Sequence, residues 1–204
     1  AMTRAGGESI HRLLSGSNGD AGRQEAAGVL MGLAIPFIGW MLLCKSSVHF
    51  AHVDPHPGNF RWCAASRELW VLDWGSSVTL SLERRKALCM LIRLTADDAE
   101  PHLVGEAAGR FGLEGHDAAE LAGLVRGMLN ATTAHAAQDA INAAGIDRIL
   151  DGVSDEVVPV VRCLAVLGGI LKELQQRIRS EHQQEVPLSL AALWGPFATL
   201  GLAD

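Results

Sequence analysis

The chain has 204 residues, and 49% of them are hydrophobic, so it can bury a core as one domain or as one lobe of a larger protein. Its formal net charge of -6 provides no broad basic surface, which argues against nucleic acid as a partner. The four cysteines are spread along the chain without a CxxC pair. This spacing favours reduced thiols over disulfides or a zinc site, and therefore a reducing compartment.

The first 20 residues are rich in glycine and polar side chains, and no apolar run follows Arg4. Glycines at positions 6, 7, 16 and 19 interrupt any helix, so we predict a flexible N-terminal arm over residues 1–20. A secretory signal is not predicted. A matured organelle protein would already have lost its targeting segment, so the compartment stays open.

A long apolar helix is predicted over residues 21–44, with a kink at Pro36. Residues 26–44 contain no charge, and Gly28-x-x-x-Gly32 has the small-residue spacing of packed membrane helices, so a transmembrane segment is one interpretation. Burial inside a soluble lobe is the other interpretation, and we favour it. A span that ends about ten residues before Asp54 would leave little room to pack the following loop.

The next stretch combines a loop with a small hairpin. Residues 46–59 are polar and interrupted by proline and glycine, which predicts a loop. Residues 67–72, RELWVL, are rich in strand-forming side chains, and residues 60–63 are the predicted partner strand. The hairpin ends at the sequence Asp73-Trp74-Gly75.

Helical patterns fill the remainder of the chain. They predict helices over residues 82–97, 100–111, 118–137, 140–150 and 157–181. After Pro187 an apolar segment, 188–202, is expected to pack on the core, although contact with a membrane surface or a partner chain remains an alternative. The chain is therefore predicted to be mainly α, with a lobe at 21–187 followed by an apolar C-terminal segment at 188–204.

The residues most indicative of a catalytic site are those of a loop and of a turn that follows it. The loop His52-Val53-Asp54-Pro55-His56-Pro57-Gly58-Asn59 places four residues between an acid and an amide, as in the HRDxxxxN loop of protein kinases. Asp73-Trp74-Gly75 follows after the hairpin, in the place of a DFG turn. Kinase-fold catalysis needs an acid near the acceptor, and an Asn and an Asp that hold magnesium against nucleotide phosphates. The sequence supplies all three groups.

These residues resemble a known family. HVDPHPGN is similar to the HADPHPGN signature of the UbiB (aarF-domain-containing) atypical kinases, and VLDWGSS resembles the LLDFG turn of that family. The resemblance extends over residues 50–98. It implies a protein-kinase-like C-terminal lobe with a small β-hairpin between the catalytic loop and the metal-binding turn.

The resemblance also implies roles for individual residues. Asp54 would be the catalytic acid, and Asn59 and Asp73 would be the magnesium ligands that hold ATP. His52 would be the structural histidine that supports the turn. His56 stands where protein-serine/threonine kinases have a phosphate-contacting lysine, as it does in small-molecule kinases and UbiB proteins, so ordinary protein phosphorylation is less expected.

Two substitutions separate this loop and turn from the family pattern. Val53 replaces the usual Ala, and Trp74 replaces the Phe of the turn. Trp at that place also resembles the aminoglycoside and choline phosphotransferases, whose loop is HGDxHPGN, so a small-molecule phosphotransferase is a third interpretation. Pro55 and the residues after the turn favour UbiB. Neither substitution removes an oxygen ligand.

Several motifs of a complete kinase are missing from these 204 residues. We find no Gly-rich or Ala-rich nucleotide loop, no VAIK-like strand lysine and no KxGQ motif, and Lys45 lies too close to the catalytic loop to replace that lysine. A small-molecule phosphotransferase would need the same missing motifs, and we place two functions ahead of it. One is a UbiB-like ATPase or kinase that uses magnesium and ATP, which the resemblance links to ubiquinone or prenyl-lipid metabolism at a mitochondrial or plastid inner membrane. The other is a non-catalytic, truncated pseudokinase lobe that serves as a structural subunit among partner chains.

Overall fold

The computed structural model describes residues 6–15, 20–32, 48–113, 117–130, 153–178 and 189–203. Helices hold most of these residues, and their short strands form two small antiparallel sheets. The prediction of a mainly α fold is confirmed.

The first half of the chain contains all the paired strands of the described residues. Its elements are, in order, β1 (Glu8–Ser9), α1 (Ile10–Ser15), α2 (Asp20–Gly32), β2 (Val48–His52), a 3-10 turn (Pro57–Asn59), β3 (Phe60–Cys63), β4 (Glu68–Val71) and β5 (Ser77–Ser81).

The predicted hairpin is confirmed. Strands β3 and β4 pair antiparallel from Phe60 opposite Val71 to Cys63 opposite Glu68. Arg67 closes the connection in the left-handed region, with a φ of 57°. The hairpin therefore separates the loop that contains Asp54 from the turn that contains Asp73.

Strands β2 and β5 correct one prediction. They pair antiparallel in full register, from Val48 opposite Ser81 to His52 opposite Ser77. The loop predicted over residues 46–59 is therefore wrong for residues 48–52. The hydrogen-bond partners of this strand come from beyond the hairpin, and a local reading of propensity cannot find such a partner. Proline and glycine among residues 55–58 favour a loop and thereby mask the strand that precedes them.

The N-terminal segment corrects a second prediction. Residues 8–9 form an edge strand on β3, and Ile10 and Leu14 of α1 are buried. Arg61 donates hydrogen bonds to the carbonyls of Gly6 and Gly7. A Cβ at Gly7, whose φ is 75°, would lie 2.2 Å from the carbonyl oxygen of Trp62, so glycine here permits close approach. The flexible arm is therefore wrong for residues 6–15.

Helix α2 packs against the hairpin. A Cβ at Gly28 would lie 2.4 Å from the Trp62 ring, and one at Gly32 would lie 3.2 Å from Leu69. The small residues thus serve a contact with the hairpin. The rest of the predicted long helix, with Pro36, lies outside the described residues. Among the residues that are described, none of the helices has the length and hydropathy needed to cross a membrane.

The second half of the chain is a set of packed helices. They are α3 (Leu82–Ala96), α4 (Pro101–Phe111), α5 (Ala118–Asn130), α6 (Val158–Ile178) and α7 (Leu190–Leu202). Ser81 caps α3 by accepting a hydrogen bond from the N–H of Arg84, and Ser189 caps α7 in the same way. These helices lie where the sequence predicts them, whereas the helix predicted over residues 140–150 lies outside the described residues.

Helix α7 packs against α3 with its apolar face. Trp194 and Ala198 are fully buried, and Arg85, also fully buried, donates a hydrogen bond to the Gly201 carbonyl at the end of α7. A guanidinium there also complements the negative end of the helix dipole. Core packing of the described part of segment 188–202 is confirmed, whereas its contact with a membrane surface stays a prediction.

Candidate functional site

The loop and the turn meet at one end of the β3–β4 hairpin. Asp54 follows β2, Asn59 ends the 3-10 turn before β3, and Asp73 follows β4 by two residues. The N–H of Leu72 donates to the Asn59 carbonyl at 2.8 Å, which extends the hairpin pairing up to the turn. The structure therefore brings Asp54, Asn59 and Asp73 to the same edge.

His52 connects the loop to the turn. Its side chain is fully buried, and its Nδ1 accepts a hydrogen bond from the N–H of Asp54 at 3.3 Å. Nε2 must then carry the ring proton, which it donates to the carbonyls of Leu72 at 3.0 Å and Asp73 at 2.9 Å. One imidazole thus fixes the backbone on both sides of the site.

Trp74 packs on this histidine. The two rings meet edge to face, with centroids 5.1 Å apart and an interplanar angle of 88°. The indole N–H donates to the Val71 carbonyl at 3.2 Å, a bond that phenylalanine could not make. The substitution of Trp for Phe is therefore accommodated by the turn.

Asp73 occupies a strained backbone position. Its φ is 55°, in the left-handed region that Asp and Asn tolerate better than other side chains with a Cβ. Its Oδ1 accepts a 3.4 Å hydrogen bond from the N–H of Gly75, and the residue is exposed. The His52 bond to its carbonyl helps to hold this conformation, and strain of this kind is typical of binding sites.

Asn59 is oriented by Asp54. Its Nδ2 donates to the Asp54 carbonyl and to Asp54 Oδ2, both at 3.0 Å. Both amide protons are therefore used, and the amide oxygen, Oδ1, remains for a ligand from outside the loop. The hydrogen bond to Oδ2 also orients the Asp54 carboxylate, and Oδ1 of Asp54 remains to accept a hydrogen bond from a ligand.

His56 lies at the rim of the loop and is exposed. Its Nδ1 accepts a hydrogen bond from the N–H of Gly58 at 3.1 Å. In this tautomer Nε2 carries the proton and can donate to an anionic ligand.

The loop is also held by two hydrogen bonds from other parts of the chain, and the sequence does not indicate either of them. The Cys163 thiol of α6 donates to the His52 carbonyl at 3.5 Å, and the Ser9 hydroxyl donates to the Pro57 carbonyl at 3.3 Å. Burial raises the pKa of Cys163 to about 12, with a further contribution from the negative charge of Asp54. The Cys163 thiol is therefore neutral and can donate this hydrogen bond. Cys163 and Ser9 belong to no recognisable sequence motif, so neither hydrogen bond could be predicted from the sequence.

The donor set fits magnesium better than zinc. Among the described residues, no three His, Cys, Asp or Glu side chains gather into a metal-binding group. The Asn59 amide oxygen and the Asp73 carboxylate are hard oxygen donors, whereas zinc sites favour His and Cys. Magnesium commonly binds to one or two protein oxygens and completes its shell with water and substrate phosphates.

No family model, no curated protein and no solved structure matches this chain. The resemblance to UbiB kinases over residues 50–98 therefore stays a prediction that depends on the motif residues.

Proposed function

We propose that residues 48–81 form the catalytic-loop and metal-turn side of a UbiB-like ATPase or kinase site that uses magnesium and ATP. The observation that carries this proposal is the bridge made by His52, which joins the N–H of Asp54 to the carbonyls of Leu72 and Asp73. If Asp54 and Asp73 had unrelated roles, a buried imidazole shared by their two segments would not be required. A site built from both segments requires such a group, because it fixes their relative positions.

The order of elements supports the same function. A strand leads into the Asp54 loop, a hairpin leads to the Asp73 turn, and the next strand, β5, returns to pair with β2. The two parts of the site are thus closed into one frame. This frame is what kinase-fold chemistry requires of the protein, because positioning supplies most of its catalysis.

Each side chain then has a defined task. Asp54, held by Asn59, accepts a proton from the attacking hydroxyl or water. Asn59 Oδ1 and the Asp73 carboxylate would hold a magnesium ion, and His56 would donate to a phosphate oxygen. A magnesium ion held there would supply positive charge against the phosphates of the nucleotide.

A non-catalytic structural lobe is the second candidate function. The 204 residues contain no nucleotide loop and no strand lysine, and the hydrogen bonds of the His52 bridge also stabilise a lobe that binds no nucleotide. Participation in ubiquinone or prenyl-lipid metabolism, an inner-membrane location and partner chains are proposals that rest on the resemblance alone.

Calorimetric titration with magnesium and ATP separates the two candidates. The wild-type chain, in its native assembly, should bind Mg-ATP, and Asp73→Asn should abolish the binding because the metal loses a carboxylate. Asp98→Asn is the matched control, since Asp98 is also exposed and has a similar φ of 51°. It should bind as the wild type does. Absence of binding by the folded wild-type assembly would favour the structural lobe.

A further inference from the structure

An apolar cavity of about 320 Å³ lies among helices α3, α4, α5, α6 and α7. Its wall includes Leu91, Phe111, Val125 and Leu164, all of which are buried. None of the candidate-site residues lies among the described residues that line it. The volume falls at the lower end of the range for small-molecule sites.

Among the described residues that line the cavity, one charged side chain belongs to this wall. Lys172 of α6 is 2% exposed and lines the cavity. Among the described residues its Nζ has no hydrogen-bond partner, and none of their ion pairs includes it. Lysine is almost never buried in this way unless it is paired, because an unpaired ammonium is costly away from water. Burial also lowers the pKa of Lys172.

The nearest acid along the helix does not face the same way. Glu173 follows Lys172 directly and is exposed, and adjacent positions of a helix point in different directions. An anion for Lys172 is therefore not supplied by its neighbour in sequence.

We propose that the cavity binds a fatty-acid-like amphiphile, with its carboxylate paired to Lys172 and its alkyl chain among the apolar side chains of the five helices. A dry void would explain the apolar wall, but it would not explain an ammonium in that wall. A sugar or a free phosphate would find too few polar partners among the described lining residues. Val166, which is 38% exposed, also belongs to the lining, so part of the wall reaches solvent.

This inference does not depend on the proposed nucleotide site, so the two can fail separately. Its first test is calorimetric titration of the full chain with decanoate and with decanol, each below its aggregation concentration. Decanoate should bind roughly tenfold more tightly or better, because only the carboxylate can pair with the ammonium. Affinity should rise about fourfold with each added CH2 until the cavity is filled. Equal affinity for the two compounds, or no binding of either, would overturn the proposal.

Two variants locate the binding in the cavity. Lys172→Met keeps a long unbranched side chain but removes the ammonium, and it should remove the preference for decanoate over decanol. Gly169→Phe should block both compounds, since Gly169 lines the cavity and a Cβ there meets nothing within 4 Å. Gly123→Phe is the control for this variant. A Cβ at Gly123 also meets nothing within 4 Å, but Gly123 is exposed on α5 and does not belong to the described lining of the cavity.

Thermal unfolding of each variant, measured without ligand, shows that it is folded. Decanoate binding that is unchanged in folded Gly169→Phe would place the site elsewhere. A preference for decanoate that persists in Lys172→Met would show that another group recognises the carboxylate. Either result would overturn the proposal.

Discussion

The site region, residues 48–81, and the helical region, residues 82–113, 117–130, 153–178 and 189–203, are stabilised in different ways. In the site region, the decisive contacts are the β2–β5 ladder and the hydrogen bonds of His52 and Asn59. In the helical region, the contacts are mainly those of buried aliphatic side chains. The candidate site thus lies where directional bonds set the geometry, whereas the adjoining helices are held by packed side chains.

The largest expected change in stability is that of His52→Ala. The substitution removes a buried ring and leaves the Asp54 N–H and the Leu72 and Asp73 carbonyls without their partner. We expect a loss of about 3–5 kcal/mol in the free energy of unfolding, measured with denaturant. His102→Ala, at an exposed position of α4, should change it little. Similar losses in the two variants would refute the role given to His52.

The helical region should respond instead to added volume. A Cβ at Gly105 of α4 would lie 2.5 Å from the Cβ of Ala118 on α5, whereas one at Gly109 would meet nothing within 4 Å. Gly105→Ala should therefore lower the free energy of unfolding by about 1–3 kcal/mol. Gly109→Ala should raise it by about 0.5–1 kcal/mol, because alanine favours a helix more than glycine does. A stabilising Gly105→Ala would show that the two helices do not pack as described.

Lys172 is the polar exception inside the helical region. Lys172→Met should raise the free energy of unfolding of the ligand-free chain by about 1–2 kcal/mol near neutral pH, since it removes an unpaired buried ammonium. The pKa of Lys172 is lowered in the folded state from 10.5, so the unfolded chain binds more protons between the two values. The stability of the wild type should therefore rise with pH in that window.

The difference between Lys172→Met and the wild type should shrink as the pH approaches 10.5. Measuring both proteins at each pH cancels the titration of the other groups. A destabilising Lys172→Met near neutral pH would mean that the ammonium has a partner.

The smallest expected effect is a difference in thiol reactivity among the described cysteines, which lie in both regions. Hydrogen bonding from Ser66 lowers the pKa of Cys63 on the hairpin, while burial raises the pKa of Cys89 to about 11 and that of Cys163 to about 12. Because the thiolate is the reactive form, iodoacetamide should label Cys63 before Cys89 and Cys163 in the folded protein. Peptide mass spectrometry reads the order. Early labelling of Cys163 would contradict its place under the His52 carbonyl.

The fold could be predicted where local pattern decides structure. The hairpin at residues 60–71 and the described helices from residue 82 onward follow from strand propensity and helical periodicity, which are properties of short segments. The strand at 48–52 could not be predicted, because its partner, β5, lies beyond the hairpin. Residues 6–15 were missed for a related reason, since their order depends on contacts with Arg61 and Trp62.

The candidate site divides in the same way. The spacing of Asp54, Asn59 and Asp73 predicts that they meet, and the structure brings them to one edge of the hairpin. The spacing is silent about Cys163, which reaches the His52 carbonyl from a distant helix. It is also silent about the left-handed backbone of Asp73, because Asp is only one of several residue types that tolerate this conformation.

The metal itself offers the most direct test of the central claim, that Asn59 and Asp73 hold a divalent cation against a nucleotide. Manganese can replace magnesium at oxygen ligands, and its binding changes the relaxation rate of water protons. We predict that Mn-ATP with the wild-type assembly, or with Asp98→Asn, gives an enhanced relaxation rate that Asp73→Asn abolishes. An equal enhancement in Asp73→Asn, or none with the folded wild type, would contradict the account.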